Sequence, residues 1–206
     1  MGGGCLGRGC LIAFEGIDGA GKTTQVELLA AALRDAGHRV LMTREPTGGP
    51  HGEEIRSLSS RGIEISAEEE LDYFIADRRQ HVGEVIAPAL ARGEVVITDR
   101  YFLSNVAYQG ARGLSPREIL HRNQSEFPDP DVVLLLETSP SRGLDRVRKR
   151  AEDLNRSFEE EAFLTRVVAI FDSLEIPYLR RISADASPGI VHASVREALT
   201  EFFDFG

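Results

Sequence analysis

The stretch that decides the fold reads Gly16-Ile17-Asp18-Gly19-Ala20-Gly21-Lys22-Thr23-Thr24 and matches the pattern GxxxxGK(S/T). In that pattern, glycines let the backbone turn so that successive N–H groups point at phosphate oxygens. The side chain of Lys22 reaches the outer phosphates, and the hydroxyl of Thr23 ligates magnesium. The stretch therefore predicts a phosphate-binding loop for a nucleoside triphosphate.

The residues on either side of this loop have the patterns that such a loop needs. Residues 10–14 form a short apolar run, typical of a strand that is buried on both faces. Beyond the loop, apolar residues recur at helical spacing from Val26 to Leu33, and Gly37 is expected to end that helix. A chance glycine-rich turn is the alternative interpretation, and both flanks argue against it.

Size and charge limit the classes of function. A chain of 206 residues with 42% apolar residues is long enough for one packed core, so we predict a single domain over residues 10–206 with a mobile appendage. The formal net charge of −9 gives no general attraction for nucleic acid or an anionic membrane, and we expect neither as a partner. An anionic ligand must then be held by a local cluster of cations.

The first residues and the cysteines bear on the compartment. Residues 1–9 are rich in glycine and lack the apolar stretch of a signal peptide, so we interpret them as a flexible lead-in. No run approaches the roughly 20 apolar residues that cross a bilayer. Cys5 and Cys10 are the only cysteines, and they suggest reduced thiols in a cytoplasmic protein rather than a disulfide framework.

Charged residues follow two further predicted strands at the point where each strand ends. The strand at 39–43 leads into Arg44 and Glu45, and the strand at 94–99 ends in Asp99, with Arg100 next. Open α/β sheets bind ligands at the carboxyl ends of their strands. An acid at the tip of a strand beside the first one holds magnesium in nucleotide-binding proteins of this type. The alternatives are a solvated turn with an ion pair and, for Asp99, a turn cap.

The longest helical pattern carries a charge on its apolar stripe. A capping box, Ser66 to Glu69, opens this helix, and Pro88 is expected to kink or end it. Arg78 lies on the apolar face. Because an unpaired buried charge costs several kcal/mol or more, its guanidinium either pairs with a structural carboxylate or meets a polar ligand beside Phe74, one turn earlier. Spacing alone favours the structural pair.

Strands at 131–137 and 176–182, with helical patterns before and after each, complete the chain. Strands that alternate with helices predict an α/β fold, a three-layer α/β/α sandwich around a five-stranded parallel sheet with right-handed crossovers. The helix that begins at Ser139 and Pro140 ends in a basic cluster of Arg142, Arg146, Arg148, Lys149 and Arg150, with Arg156 soon after. A solvated basic helix end is the alternative interpretation of that cluster.

The arginines indicate where the terminal phosphoryl group goes. Switch proteins, motors, ligases and kinases all share a phosphate-binding loop. Here Arg44, Arg78, Arg100 and the basic cluster lie at strand ends or on ligand-facing stretches. Because arginine suits bidentate recognition of phosphate, their number predicts a second phosphate-bearing ligand that faces the first.

Four motifs occur in order: FEGIDGAGKTTQ at 14–25, TREP at 43–46, DRY at 99–101, and SN with YQG between 104 and 110. In these motifs the chain resembles the bacterial thymidylate kinase family, which are P-loop nucleoside monophosphate kinases, and the likeness runs from about residue 10 to the C-terminus. The resemblance implies transfer of the γ-phosphoryl group of ATP to dTMP, giving dTDP and ADP, with Mg²⁺ and in a homodimer.

The resemblance also implies a role for each matching residue in the acceptor site. Asp18 would accept the 3′-hydroxyl of the deoxyribose, while Arg44 and Arg100 would hold the 5′-phosphate. Phe74 would stack on thymine, and Arg78 would hydrogen-bond the base. The nucleoside pocket would be completed by Asn105 and Gln109, with Tyr108 crowding the 2′ position against ribose.

For catalysis, the resemblance implies roles for Lys22, Asp99 and Arg100. Thr23 and Asp99 would bind the magnesium ion. Family members differ in whether the phosphate-binding loop carries a catalytic arginine; this loop has none, so a lid around residues 146–160 should supply it. The candidates are Arg148, Arg150 and Arg156. Two rival functions remain, namely another nucleotide or deoxynucleoside kinase on the same scaffold, and a nucleotide-binding switch protein.

Overall fold

The computed structural model describes residues 9–151 and 158–205 of the chain, and the side chains of residues 150, 151, 158 and 159 lie outside that description. Within this part of the chain, none of the helices combines the length and the apolar composition needed to cross a membrane. The predicted lead-in, residues 1–9, and the predicted lid, residues 146–160, fall partly outside the described residues.

Five parallel strands form one sheet in the order β2-β3-β1-β4-β5. They are β1 Cys10–Glu15, β2 Val40–Arg44, β3 Val95–Asp99, β4 Val132–Glu137 and β5 Leu179–Ser183. The predicted α/β fold with a five-stranded parallel sheet is confirmed. The boundaries agree within a residue except in β5, which begins at Leu179 rather than at Ile176.

The burial of the strands explains why their sequences were informative. The central strands β1, β3 and β4 are buried almost throughout, whereas the edge strands β2 and β5 are partly exposed. A parallel strand covered by helices on both faces needs apolar side chains on both, so it appears as an uninterrupted apolar run.

Helices connect the strands. They are α1 Lys22–Asp35, α2 Pro50–Ser60, α3 Ala67–His81, α4 Ala87–Ala91, α5 Phe102–Ala111, α6 Pro116–Gln124, α7 Pro140–Ala151, α8 Phe158–Asp172 and α9 Pro188–Ala198. The capping box of α3 is present, since Ser66 accepts from the backbone N–H of Glu69 and the Glu69 carboxylate accepts from the backbone of Ser66.

Pro88 does not end the long helix. A π-helical segment, Val82–Ile86, joins α3 to α4, and Pro88 lies in the first turn of α4, which continues to Ala91. Because a π-helical turn spaces its backbone hydrogen bonds more widely, it accommodates a following residue that has no N–H. Of the two outcomes expected at Pro88, a kink or an end of the helix, the end is therefore wrong.

The register of the sheet brings three strand ends together. Asp99 of β3 lies opposite Phe14 of β1 on one side and opposite Arg44 of β2 on the other. The phosphate-binding loop, Arg44 and Asp99 therefore lie along the same carboxyl edge of the sheet, as the sequence predicted.

Cys10 begins β1 and is disulfide-bonded. The expectation of two reduced thiols is therefore wrong for Cys10. Its sequence context gave no sign of this, because a buried thiol and a buried disulfide sulfur occupy the same kind of apolar position.

Candidate active site

The phosphate-binding loop joins the end of β1 to the start of α1. Gly16, Gly19 and Gly21 have φ of 136°, 81° and 95°, in the region that favours glycine. A Cβ on Gly19 would lie 2.1 Å from the carbonyl oxygen of Gly143 in α7. Glycine at this position therefore permits both the turn and the close approach of α7.

Lys22 is buried at the first position of α1. Its Nζ donates hydrogen bonds to the carbonyl oxygens of Gly16 at 3.0 Å and Ile17 at 2.9 Å. Burial, together with the positive charge of Arg100, lowers the pKa of Lys22 to about 8. The ammonium is thus held inside the loop, where phosphate oxygens would be bound.

Thr23 and Asp99 form a pair of oxygen groups at the mouth of the loop. Thr23 Oγ1 donates to Asp99 Oδ2 at 2.5 Å. Magnesium prefers oxygen ligands and usually takes only one or two from the protein, the rest being water and substrate phosphate. Among residues 9–151 and 158–205, no cluster of three or more His, Cys, Asp or Glu side chains could hold a metal by itself. The residues present therefore fit a magnesium ion that is bound together with a nucleotide.

Arg100 follows β3 and connects the loop to α5. Its φ of 75° is unusual for a residue with a side chain, and its backbone N–H donates to the carbonyl of Phe14 at 2.9 Å. Its guanidinium donates to Asp18 at 2.7 Å and to Ser104 at 2.8 Å, and lies 5.1 Å from the ring centre of Tyr108. This backbone conformation aims a charged side chain across the front of the loop.

Glu15 is a buried carboxylate that supports this arrangement. It accepts hydrogen bonds from the backbone N–H groups of Tyr101 and Ser104, at 2.9 and 3.0 Å, and from Ser104 Oγ at 2.5 Å. Burial raises the pKa of Glu15, while the hydrogen bond from Ser104 and the charge of Arg100 act in the opposite direction. Glu15 thereby fixes the N-terminus of α5, which carries several candidate site residues.

Two cavities meet in front of the sheet. The first, of about 530 Å³, is polar and includes Lys22, Thr23, Arg44, Asp99 and Arg100 in its walls; we call it the phosphate cavity. The second, of about 640 Å³, has a more apolar lining that includes Phe74, Asn105, Tyr108, Gln109 and Phe163; we call it the aromatic cavity. Asp18, Pro46 and Arg100 line both. The arrangement can hold two ligands that meet at Arg100.

Comparison with known proteins gives a consistent result. A family model described as thymidylate kinase matches residues 14–195. The thymidylate kinase of Xanthomonas euvesicatoria pv. vesicatoria is 48% identical over 197 residues, which cover 94% of this chain and 86% of that protein. The thymidylate kinase of Desulfotalea psychrophila is 46% identical over 176 residues, which cover 85% of this chain and 87% of that protein.

This chain belongs to the thymidylate kinase family. A crystal structure of thymidylate kinase from Ehrlichia chaffeensis matches it with a TM-score of 0.71 and 29% identity, over 94% of this chain and all of that one (100%). The resemblance drawn from the four motifs and the P-loop kinase type of fold are thus confirmed.

Arg78, to which the family resemblance assigns a contact with the base, is paired with protein groups in this structure. Its side chain is 1% exposed, its Nε and Nη2 donate to Glu45 Oε2 at 2.9 and 2.5 Å, and its Nη1 donates to Asn123 Oδ1 at 2.7 Å. The guanidinium also lies 5.2 Å from the ring centre of Tyr101. These contacts are the structural pairing that helical spacing favoured, and a hydrogen bond from Arg78 to the base stays a prediction.

The lid residues expected for a thymidylate kinase are only partly described. Arg148 lies on α7, 3.7 Å from the carboxylate of Asp145. The side chain of Arg150 and the whole of Arg156 lie outside the described residues. Arg146, to which the sequence assigned no separate role, donates to the carbonyl of Gly19 at 3.3 Å and to that of Ala184 at 2.9 Å. Through Arg146, α7 is attached to the phosphate-binding loop.

Sequence reasoning missed three residues that take part in the site. Glu15 lies inside the first motif, and an acid at the end of an apolar strand was the available signal. Phe163 of α8 lies with its ring centre 6.1 Å from that of Tyr108, but its helical spacing assigned it to the core. Glu70 lines the aromatic cavity, and nothing in the sequence separated it from the acidic residues beside it.

Proposed function

We propose that this chain transfers the γ-phosphoryl group of ATP to dTMP and produces dTDP and ADP, a step in the synthesis of dTTP. The observation that carries the proposal is the junction of the phosphate cavity and the aromatic cavity at Asp18 and Arg100. A transfer between two nucleotides needs their phosphates to meet end to end, and Arg100 lies where they would meet. Membership of the thymidylate kinase family supports the identity of the acceptor.

On the donor side, residues 16–24 would bind the phosphates of ATP. The backbone N–H groups of the loop and the positive end of α1 favour anionic oxygens. Lys22, already held in the loop by Gly16 and Ile17, would exchange these carbonyl partners for phosphate oxygens. Thr23 and Asp99 would hold Mg²⁺, directly or through water; this ion neutralises charge on the outer phosphates.

On the acceptor side, we assign the aromatic cavity to the nucleoside of dTMP. Phe74 would stack on the base, with Asn105 and Gln109 at its polar edge and Tyr108 close to the sugar. Arg44 and Arg100, which both line the phosphate cavity, would hold the 5′-phosphate. Asp18 would then accept from the 3′-hydroxyl, at the cost of its present contact with Arg100.

The chemistry requires positioning more than a strong base. The phosphate of dTMP is already an anionic nucleophile at neutral pH, so alignment and charge neutralisation lower the barrier. Arg100 would bring the acceptor oxygen into line, and Lys22 would stabilise the group in transfer. We propose that residues 146–160 act as a lid that adds one arginine, from Arg148, Arg150 or Arg156, and excludes water as a competing acceptor.

An assay that couples ADP formation to an optical signal tests the proposal. Purified protein, ATP and Mg²⁺ are combined with dTMP, dUMP, dCMP, dGMP, AMP or thymidine. We expect clear preference for dTMP and loss of activity when EDTA removes the metal. Faster turnover of another monophosphate or of thymidine would show that the chain catalyses one of the rival kinase reactions instead. Slow hydrolysis with no acceptor would favour a switch protein.

We also propose that the enzyme is a homodimer and works in the cytoplasm. Family membership supports the dimer, and the need for ATP and dTMP as substrates supports the compartment. Light scattering of the purified protein should give twice the monomer mass of 22.6 kDa. A monomeric mass at assay concentration would contradict the dimer.

A further inference from the structure

A chain of hydrogen bonds leads from the surface into the aromatic cavity. Arg112 Nη1 and Gln109 Nε2 both donate to Glu70 Oε2, the second at 2.8 Å. Gln109 Oε1 then accepts from Asn105 Nδ2 at 3.1 Å. Asn105 and Gln109 are each 2% exposed, and all four residues line the cavity.

The order of donors and acceptors along this chain is fixed by its outer end. The Glu70 carboxylate is only an acceptor, so Gln109 must turn its NH₂ group toward it. The carbonyl oxygen of Gln109 then points at Asn105, which must donate to it from its own NH₂ group. Asn105 Oδ1 is therefore left outside this chain of hydrogen bonds, and it is buried without a hydrogen-bond partner in a residue that lines the cavity. A buried carbonyl of this kind needs a hydrogen-bond donor, and a nucleoside bound in the aromatic cavity would supply one.

We propose that Glu70 is a specificity-determining positioning residue: it orients two amides so that Asn105 offers an acceptor, which selects a pyrimidine with an N–H at position 3. Thymine has that donor, whereas cytosine has an unprotonated acceptor nitrogen at the same position. The inference rests on the proposed function, which assigns the aromatic cavity to the acceptor nucleoside. Glu70 itself need not touch the base.

The physical effect is discrimination against cytosine as well as binding of thymine. If the side-chain amides of Gln109 and Asn105 were free to rotate by half a turn, the NH₂ group of Asn105 would be able to face the cavity and pair with cytosine. With Glu70 in place, the unprotonated nitrogen at position 3 of cytosine would face Asn105 Oδ1, so that two acceptors would oppose each other in a buried site. A site that pairs a substrate N–H rejects analogues that lack it far more strongly than an apolar pocket does.

The test compares the ratio of kcat/KM for dTMP to kcat/KM for dCMP in three variants. Glu70→Leu removes the acceptor, and we expect this ratio to fall at least about tenfold, the scale of one hydrogen bond. Glu70→Gln keeps one carbonyl oxygen, and because a single oxygen, Oε2, accepts both bonds, the ratio should stay within about threefold of wild type. Glu68→Leu is the matched control, since Glu68 lies in the same helical turn but pairs with exposed Arg122; its ratio should not change.

A second variant keeps the test decisive if Glu70→Leu does not fold. Gln109→Leu breaks the same chain one step nearer the cavity and should lower the same ratio. Since Glu70 and Gln109 act in series, the double variant should lose no more discrimination than Gln109→Leu alone. An unchanged ratio in Gln109→Leu, or equal loss of both substrates in Glu70→Leu, would overturn the proposal.

Asn105→Ala separates this proposal from the assignment of the cavity. If the aromatic cavity binds the nucleoside, Asn105→Ala lowers kcat/KM for dTMP whether or not Glu70 matters. If Asn105→Ala leaves dTMP turnover intact, the cavity assignment fails and the inference fails with it. If Asn105→Ala impairs dTMP turnover while Glu70→Leu keeps the wild-type ratio, the cavity assignment stands and only the role of Glu70 is lost.

Discussion

Two cations that line the phosphate cavity, Lys22 and Arg100, differ in what surrounds them. Lys22 is enclosed by its own loop, so burial opposes its charge and lowers its pKa to about 8. Arg100 has anionic and aromatic partners in Asp18 and Tyr108. A lysine of this kind loses its proton at moderately alkaline pH, whereas an arginine keeps its charge throughout. The two residues should therefore respond differently to pH and to substitution.

Above pH 8 the free enzyme should lose the charge of Lys22. Because kcat/KM reports the ionisation of free enzyme, we expect kcat/KM for ATP to fall above pH 8, approaching about tenfold per pH unit. Bound phosphates favour the ammonium, so kcat at saturating ATP should begin to fall only at higher pH. Lys22→Arg is the control. Its activity should be lower than that of wild type, but its kcat/KM for ATP should show no fall that begins near pH 8. The same fall in that variant would assign the ionisation elsewhere.

Replacement of Arg100 should reduce turnover far more than stability. Arg100→Ala removes the cation that lines both cavities, and we expect kcat with dTMP to fall about a hundredfold or more. Arg180→Ala is a suitable control, since Arg180 makes an exposed ion pair with Glu201 at 2.8 Å, and such pairs contribute little. Steady-state rates and melting curves of both variants provide the comparison. Near-normal turnover in Arg100→Ala would contradict the role assigned to it.

Among the secondary-structure elements, the buried strands were predictable and α2 was not. Each central strand has a single physical requirement, apolar side chains on both faces, which leaves a clear pattern. Helix α2 contains glycine and several serines, which are poor helix formers. It is held instead by packing against α3, where Gly52 lies close to the side chain of Asp77. Contacts of that kind do not appear in local sequence patterns.

Gly52 should be required for the position of α2. A Cβ there would lie 2.1 Å from the carbonyl oxygen of Thr47 and 2.9 Å from a carboxylate oxygen of Asp77. Since α2 and the segment before it line the aromatic cavity, Gly52→Ala should raise KM for dTMP severalfold and destabilise the fold by about 1–3 kcal/mol. Gly48→Ala is the matched control, because a Cβ at Gly48 meets nothing within 4 Å.

KM values and urea unfolding of the two glycine variants decide the matter. We expect Gly48→Ala to match wild type in both measurements. If both alanines have the same effect, the close approach of Gly52 to Thr47 is not what fixes α2.

At the scale of the whole molecule, the topology of the sheet predicted where the site lies. It did not predict that α8 would line the aromatic cavity. Parallel strands that end at one edge bring the loop, Arg44 and Asp99 together, and the sequence alone predicted this. Phe163 comes from α8, far along the chain, and closes the aromatic cavity only because α8 packs on α5. The distance between such residues in the sequence hides their contact, and their apolar character is equally explained by the core.

The two cavities should bind their ligands side by side rather than in competition. ATP, as an analogue whose γ-phosphoryl group cannot be transferred, and dTMP should each stabilise the fold, by about 2.7 kcal/mol at a hundred times the dissociation constant. Because most residues that line one cavity do not line the other, the two stabilisations should at least add when both ligands are present, as measured by chemical unfolding at fixed protein concentration. Phe74→Ala is the internal control, since it should abolish the effect of dTMP and leave that of the ATP analogue. If both ligands together stabilised the protein no more than the stronger one alone, they would share one site, and direct transfer between two bound nucleotides would be ruled out.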